Sequence, residues 1–288
     1  MKYAHGVQLD GIHHVTCITA DAPRNVEYYT GVLGLRLVKK SVNQDDPTVY
    51  HLFYADEHGT PGSDITFFEY PDAREGRAGA GMIHTVVWRV GSEEALEFWR
   101  ERVGSVPFTD PDGLRHDLVV ADVPDAPLIA DHPEIPREMA LQGFEGVRAY
   151  GEEPTAFLEA LGFAGGLTRG DSRQGWIRYE PAPELPGIGG SGTVHHVAWA
   201  CGLDEQEAWR ERVIGAGGHP TPAIDRFWFR SIYFREPTGV LFEIATLGPG
   251  FAADEDPAHL GETLILPPNF EHLRAQVEPV LTPLPKTR

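Results

Sequence analysis

Gly11-Ile12-His13-His14-Val15-Thr16 and Thr193-Val194-His195-His196-Val197-Ala198 are two copies of one short text, 182 residues apart. Each is an apolar, β-branched run with a doubled histidine at its middle, the composition of a strand. Two weaker copies lie between them, Gly81-Met82-Ile83-His84-Thr85-Val86 and Gly143-Phe144-Glu145-Gly146-Val147-Arg148. The four starts are spaced by 70, 62 and 50 residues. Such repeats are too long and too few for a solenoid. They define four modules of one fold unit.

A helical stretch succeeds each of the four openings. Asp21-Ala22-Pro23 offers an N-cap with proline in the first turn, and Ser92-Glu93-Glu94 offers a second N-cap. Glu152–Leu158 and Leu203–Trp209 open the other two helices. Bulky positions recur at helical spacing, as in Val26, Tyr29, Leu33 and in Leu96, Trp99, Val103. Glycines stop the first and third helices, at Gly34 and Gly162. Strand-like runs come next: Leu35–Ser41, Thr48–Tyr54 and Asp64–Tyr70 in module one, and segments near Thr221–Ala223, Phe229–Phe234 and Val240–Ala245 in module four. The pattern predicts an α+β fold of four βαβββ modules forming two cup-shaped half-barrel sheets. Residues 9–135 carry modules one and two, residues 141–250 carry modules three and four, and residues 251–288 form a C-terminal tail with a short helix at Phe270–Val277. The stretch Asp122–Pro136, rich in Pro and Asp, reads as the link between halves.

Composition bounds the function. Among 288 residues, 43 acidic against 24 basic side chains leave a net charge of −19. That balance disfavours nucleic acid and anionic lipid, both of which need a positive field. Two cysteines, Cys17 and Cys201, make neither a disulfide scaffold nor a CxxC zinc site. No apolar run reaches membrane-helix length, and residues 1–11 lack the apolar core of a signal peptide, so a cytoplasmic soluble protein is the expectation. Thirteen histidines invite a search for metal ligands.

Strand side chains alternate between faces, so only one histidine of each pair faces the concave side. With His14 in the cup, Thr16 joins it, and the repeat puts His196 in the equivalent place. Gly239-Val240-Leu241-Phe242-Glu243-Ile244 then ends module four with a carboxylate among apolar neighbours, where an unpaired charge is costly. Two imidazoles and one carboxylate on a concave sheet make a 2-His-1-carboxylate set, which suits non-haem Fe(II) that activates O2. A lone strand histidine is more often a hydrogen-bonded core residue; the matched pairs and the apolar-flanked glutamate weigh against that reading.

These residues carry a resemblance. The repeated modules, His-His-Val-Thr and Glu236-Pro237-Thr238-Gly239-Val240-Leu241-Phe242-Glu243-Ile244 resemble the vicinal oxygen chelate superfamily (glyoxalase, bleomycin resistance, extradiol dioxygenase). The block Asp225–Pro237, running on through Glu243–Thr246 and Gly248–Phe251, is similar to its hydroquinone ring-cleaving group, the chlorohydroquinone 1,2-dioxygenase-like enzymes. The resemblance spans about residues 9–252. It implies iron ligands at His14, His196 and Glu243, and active-site residues at His13, Thr16, His195, Arg226 and Tyr233. Arg226 would neutralise a phenolate, Tyr233 would hydrogen-bond substrate or oxygen, and His13 or His195 would move a proton. Without the motif, a surface salt bridge for Arg226 and core packing for Tyr233 are the simpler readings.

The implied activity is Fe(II)-dependent ring cleavage of a small aromatic diol by O2, with Mn(II) an alternative metal and a homo-oligomer the expected assembly. A single metal held by His14 and His196 requires modules one and four to share a cup, or chains to exchange modules. Modules two and three then form the other cup, where His84 keeps the ligand position but Gly146 replaces its partner. Two rivals stand. If Glu69, read as the module-one counterpart of Glu243, also bound metal, the set would be two His and two Glu, a glyoxalase-type isomerase or lyase pattern using Ni(II) or Zn(II). A non-catalytic small-molecule-binding protein of the superfamily would need no metal set.

Overall fold

A computed structural model describes residues 6–286; the first five residues of the N-terminal segment lie outside it. Module one runs β1 (Ile12–Thr19), α1 (Ala22–Val26), β2 (Arg36–Asn43), β3 (Asp46–Ala55) and β4 (Asp64–Glu69). Module two runs β5 (Met82–Val90), α2 (Glu93–Val103), β6 (Phe108–Thr109) and β7 (Arg115–Val120). Module three has β8 (Phe144–Tyr150), α3 (Thr155–Ala160), β9 (Leu167–Arg169) and β10 (Gln174–Glu180). Module four has β11 (Val194–Cys201), α4 (Gln206–Gly215), β12 (Ile224–Asp225), β13 (Arg230–Arg235) and β14 (Leu241–Thr246). Modules one and four thus have the expected βαβββ order, whereas the two middle modules carry two strands after the helix, one of them very short.

The local signals act as read. The Asp21 carboxylate accepts from Arg24 N and caps α1, and Ser92 accepts from Ala95 N and caps α2. After α1 the chain widens into a π-turn over Glu27–Val32, closed by Leu33 N donating to Tyr28 O at 3.0 Å. Val26, Tyr29 and Leu33 all stay buried. Gly34 and Gly162 have φ of 70° and 95°, the left-handed turn that ends a helix most cheaply with glycine.

The strands form two sheets. The larger has the order β12-β13-β14-β11-β1-β4-β3-β2, joining modules one and four. The smaller has the order β6-β7-β5-β8-β10-β9, joining modules two and three. Each sheet draws strands from both halves of the chain, and its two modules meet through one antiparallel central pair, β1 with β11 and β5 with β8. One face of each sheet packs against helices: Val15, Cys17, Val86, Trp88, Val147 and Val197 belong to one contiguous core with Tyr29, Trp99, Leu158 and Trp209.

The C-terminal tail covers the first sheet, with α5 (Arg274–Val277) in the predicted region. Lys39, on β2, is fully buried, and its Nζ donates to Phe251 O, Asp254 and Glu255. A buried ammonium needs such partners, and these tie the tail to the sheet. Phe251 and Leu260 then close an apolar layer with Phe53, Trp228 and Phe229 beside the cup. Among the described residues, no helix is long and apolar enough to cross a membrane.

Candidate metal centre and active site

The register of the central pair makes the site. Within β1 and β11, His14 pairs with Ala198 and Thr16 with His196. A local two-fold axis therefore relates His14 to His196 and Thr16 to Ala198. β14 runs parallel beside β11 with Glu243 opposite Ala198. Both histidines and the glutamate thereby reach one patch of the concave face.

Their donor atoms converge. His14 Nε2 and His196 Nε2 lie 3.3 Å apart. Glu243 Oε2 is 3.2 Å from the first and 2.8 Å from the second. Each residue is at most 5% exposed. Among the described residues this is the sole cluster of metal-ligating type.

The proton inventory sharpens the picture. His13 Nε2 lies 3.1 Å from Thr246 O, an acceptor, so that nitrogen carries hydrogen. His13 Nδ1 is then the acceptor for His14 Nδ1–H at 2.9 Å, which leaves the His14 Nε2 lone pair facing the cluster. His195 Nδ1 stands likewise 2.7 Å from His196 Nδ1. The Glu243 carboxylate takes a hydrogen bond from Ser231 Oγ on Oε1, while buried Oε2 has none of good geometry. Three lone-pair atoms thus face each other with separations near the ~3 Å expected between adjacent donors on one divalent ion. Without a cation between them, buried acceptors at this distance would repel, and the orphaned carboxylate oxygen would cost several kcal/mol. In the protein alone, burial opposes charge on His14, yet the neighbouring Glu243 raises its pKa; burial holds His196 down. Burial alone would raise Glu243, but His14 and His196 hold it well below the usual carboxylate range.

A cavity of about 420 Å³ opens over the cluster. Thr16, His195, Arg226 and Tyr233 line it beside His14, His196 and Glu243. The Arg226 guanidinium grips both oxygens of Asp45 at 3.0 and 3.3 Å and donates through Nε to Tyr233 Oη at 3.3 Å. Burial and the Glu243 charge push the Tyr233 phenol well up, against the pull of Arg226, so Tyr233 keeps its proton. His13 is placed differently from the others. It is buried behind His14, does not line the cavity, and burial pushes its pKa down to about 3. His195 is exposed on the cavity wall. Trp228 also lines the cavity, whereas Trp199 packs in the core against Phe163 and Phe242.

Glu69 requires a correction. The axis that maps Thr16 onto Ala198 maps its β4 neighbour Thr66 onto Glu243, so Thr66 is the counterpart of the glutamate. Glu69 sits three residues further on, is 2% exposed, and accepts from Ala22 N at the start of α1. It belongs to neither the cluster nor the solvent-facing strand end. His84 likewise joins no metal cluster among the described residues: its Nδ1 lies 2.9 Å from Thr85 Oγ1 and its ring stacks on Tyr150 at 3.9 Å.

Several residues of the site escape sequence reading. Ser231 is an ordinary small hydroxyl in the strand Arg230–Arg235 and shows its role only through the register of β13 on β14. Asp64, opposite His14 on β4, is buried with no hydrogen bond on either oxygen among the described residues, and burial pushes its pKa up to about 8. His51, on β3, reaches the cavity from the far side of the sheet.

Comparison with known proteins shows the family and the fold. Residues 11–118 match the family model described as "Glyoxalase/Bleomycin resistance protein/Dioxygenase superfamily". MhqO of Bacillus subtilis (strain 168), whose name assigns it provisionally to the ring-cleaving dioxygenases, is 38% identical across 95% of this chain and 96% of its own. The chlorohydroquinone/hydroquinone 1,2-dioxygenase of Sphingobium indicum is 33% identical over 94% and 95% of the two chains. A crystal structure from Bacillus subtilis, provisionally described as a dioxygenase, superposes with a TM-score of 0.87 at 36% identity, covering 97% of this chain and 99% of that one. Glyoxalase I from Zea mays, at 15% identity, 82% and 92% coverage and a TM-score of 0.53, shares the fold.

Proposed function

Because the chain belongs to the ring-cleaving dioxygenases of the glyoxalase/bleomycin resistance/dioxygenase superfamily, we propose that it cleaves a hydroquinone-type ring with O2, using Fe(II) held by His14, His196 and Glu243. The observation that carries the reading is the face-to-face convergence of those three lone-pair atoms beneath an aromatic-walled cavity. An ion held by His14, His196 and Glu243 would supply open coordination positions and redox chemistry between a diol and O2.

The chain's own residues supply the rest. Thr246 O and His13 fix the ring of His14, and Ser231 fixes the carboxylate, so the donors are held before any ion arrives. Arg226, locked by Asp45, places a permanent positive charge over the cavity, where it offsets charge on a deprotonated diol. Tyr233 accepts from Arg226 Nε, which turns its own O–H toward the cavity as a donor. His195, pulled down to about 4 by burial and by His196, is neutral; with Nδ1 accepting from His196, its Nε2–H is left as a hydrogen-bond donor to an arriving diol oxygen. Phe53, Phe68, Trp228 and Phe229 exclude water from the ring face. The glyoxalase-type reading lacks its fourth ligand, since Thr66 stands in the place of the second glutamate.

The test is O2 uptake by Fe(II)-loaded protein given hydroquinones and catechols, with metal content measured on the same sample. One iron per chain and stoichiometric uptake with a hydroquinone is the expected result. Absence of uptake with every diol, or activity only with Ni(II) or Zn(II), overturns it.

A further inference from the structure

His51 lies on β3, two strands away from β1 through β4. At the usual interstrand spacing that is about 10 Å across the sheet from the strand of His14. Its ring is clamped between Phe53 and Phe68, with centroids at 3.9 and 4.4 Å. Its Nε2 stands 2.9 Å from Thr66 Oγ1, and that hydroxyl donates its own hydrogen to Thr16 Oγ1 at 2.9 Å. Thr66 can therefore only accept from His51, so Nε2 carries the ring's hydrogen and Nδ1 carries a lone pair. Nδ1 has no hydrogen-bond partner among the described residues and is not one of the sealed-off polar atoms. Burial and the two nearby histidines hold the ring neutral.

The neighbouring polar groups are otherwise engaged. Arg226 is held by Asp45 and Tyr233, and Asn43 spends its amide on Tyr70 and its carbonyl on Asp45 N. His51 Nδ1 is a free, rigidly oriented acceptor on the cavity wall two strands across the sheet from His14.

Resting on the ring-cleaving reading, we propose that His51 is a specificity residue: Nδ1 accepts a hydrogen bond from the diol hydroxyl farthest from the metal, selecting para-diols over ortho-diols. An ortho-diol keeps both oxygens on one edge of the ring and leaves this acceptor unpaired. A para-diol presents its second O–H at the opposite end, where the acceptor waits. Thr66, which takes the place of a fourth ligand, becomes the residue that sets the tautomer of His51.

The experiment compares the Fe(II)-loaded wild type with His51→Phe and His51→Gln, after circular dichroism has shown that each is folded. Turnover of hydroquinone and of catechol is measured with inhibition by 4-methoxyphenol, and hydroquinone binding is read directly by calorimetry. His51→Phe fills the same aromatic slot without the acceptor. It should raise KM and Kd for hydroquinone about tenfold, the value of one hydrogen bond, with catechol KM and 4-methoxyphenol Ki unchanged. His51→Gln, which retains an acceptor, should recover most of the loss. Equal changes for all three ligands would mean plain packing and overturn the proposal, as would no change for hydroquinone. If the wild type consumes no O2 with any diol, the functional reading fails, and the calorimetric comparison alone still decides whether His51 recognises the para-hydroxyl.

Discussion

The two sheets are built on one plan and put it to opposite uses. In the first, the central strands bring His14 and His196 together. In the second, the pairing of Val86 with Val147 puts Thr85 and Gly146 at the matching positions, and His84, expected there from the repeat, falls in the register shift between Ile83 and Thr85. A Cβ on Gly146 would lie 2.2 Å from the indole of Trp176, which occupies that space and donates to Glu145 Oε1 at 3.0 Å. Arg89, 2% exposed, then binds Glu145 at 2.6 Å, Asp125 at 2.6 Å and Gln174 O at 2.9 Å. The second sheet satisfies its buried charges internally. The first leaves one carboxylate oxygen and two ring nitrogens for an outside ion.

That contrast predicts opposite responses to losing a buried charge. Arg89→Ala strands Glu145 and Asp125 in a low-dielectric setting and should lower the unfolding free energy by about 3–5 kcal/mol. Chemical denaturation measures it, and bound metal per folded chain should not change. Glu243→Gln removes a charge that, in the metal-free protein, only His14 and His196 offset. Metal-free stability should hold or rise, while metal content falls below one per chain and turnover drops more than about 100-fold, beyond the upper end for a lost outer-shell partner. A metal-free Glu243→Gln protein several kcal/mol less stable than wild type would mean that the first cup is internally satisfied after all.

A smaller effect tests whether the second cup is closed by packing. Gly146→His restores the ligand type at the matched position. The new side chain meets Trp176, so the expected outcome is a loss of about 1–3 kcal/mol, as for other overpacked sites. No second equivalent of metal should bind by atomic absorption. A second equivalent at unchanged stability would show that chemistry, and not the indole, separates the two sheets.

Much of this was legible in the residues. The doubled His-His pairs, the N-caps and the helix-ending glycines mark the modules, because they act within a few residues along the chain. The need for one metal between His14 and His196 also indicates that modules one and four share a sheet. What was not legible depends on register. Counting along the chain pointed to Glu69, but the parallel pairing of β4 on β1 puts Thr66 in that position. Ser231 and His51 are ordinary residues until a neighbouring strand brings Glu243 or Thr66 within hydrogen-bond reach. The weak middle repeats overstated their strands, since β6 and β9 are two and three residues long.

The smallest effect in the wild type arises in the core linking the two modules of the first half, where two buried groups titrate against each other. Tyr29 Oη donates to Asp110 Oδ2 at 2.9 Å and lies 3.0 Å from His116 Nε2, while Trp88 Nε1 donates to His116 Nδ1 at 3.1 Å. His116 therefore carries its hydrogen on Nε2 and is neutral; burial pushes it down from 6.5 to about 3. In acid the unfolded chain gains a proton at 6.5 that the folded chain refuses, so this group's stabilisation is lost as pH falls toward 3. Asp110 runs the other way, since burial raises it from 3.8 to about 6. The folded chain takes that proton first, so its contribution is present below 3.8 and is lost as pH rises through 6. Between about pH 4 and 6 the two slopes, each about 1.4 kcal/mol per pH unit, cancel. Asp110→Asn removes one of them. Relative to wild type, the variant should lose about 1.4 kcal/mol for each unit of acidification in that window, by urea unfolding at pH 4, 5 and 6. His116→Gln should tilt the curve in the opposite sense. Parallel curves for wild type and both variants would mean that neither group keeps its displaced proton affinity in the folded core.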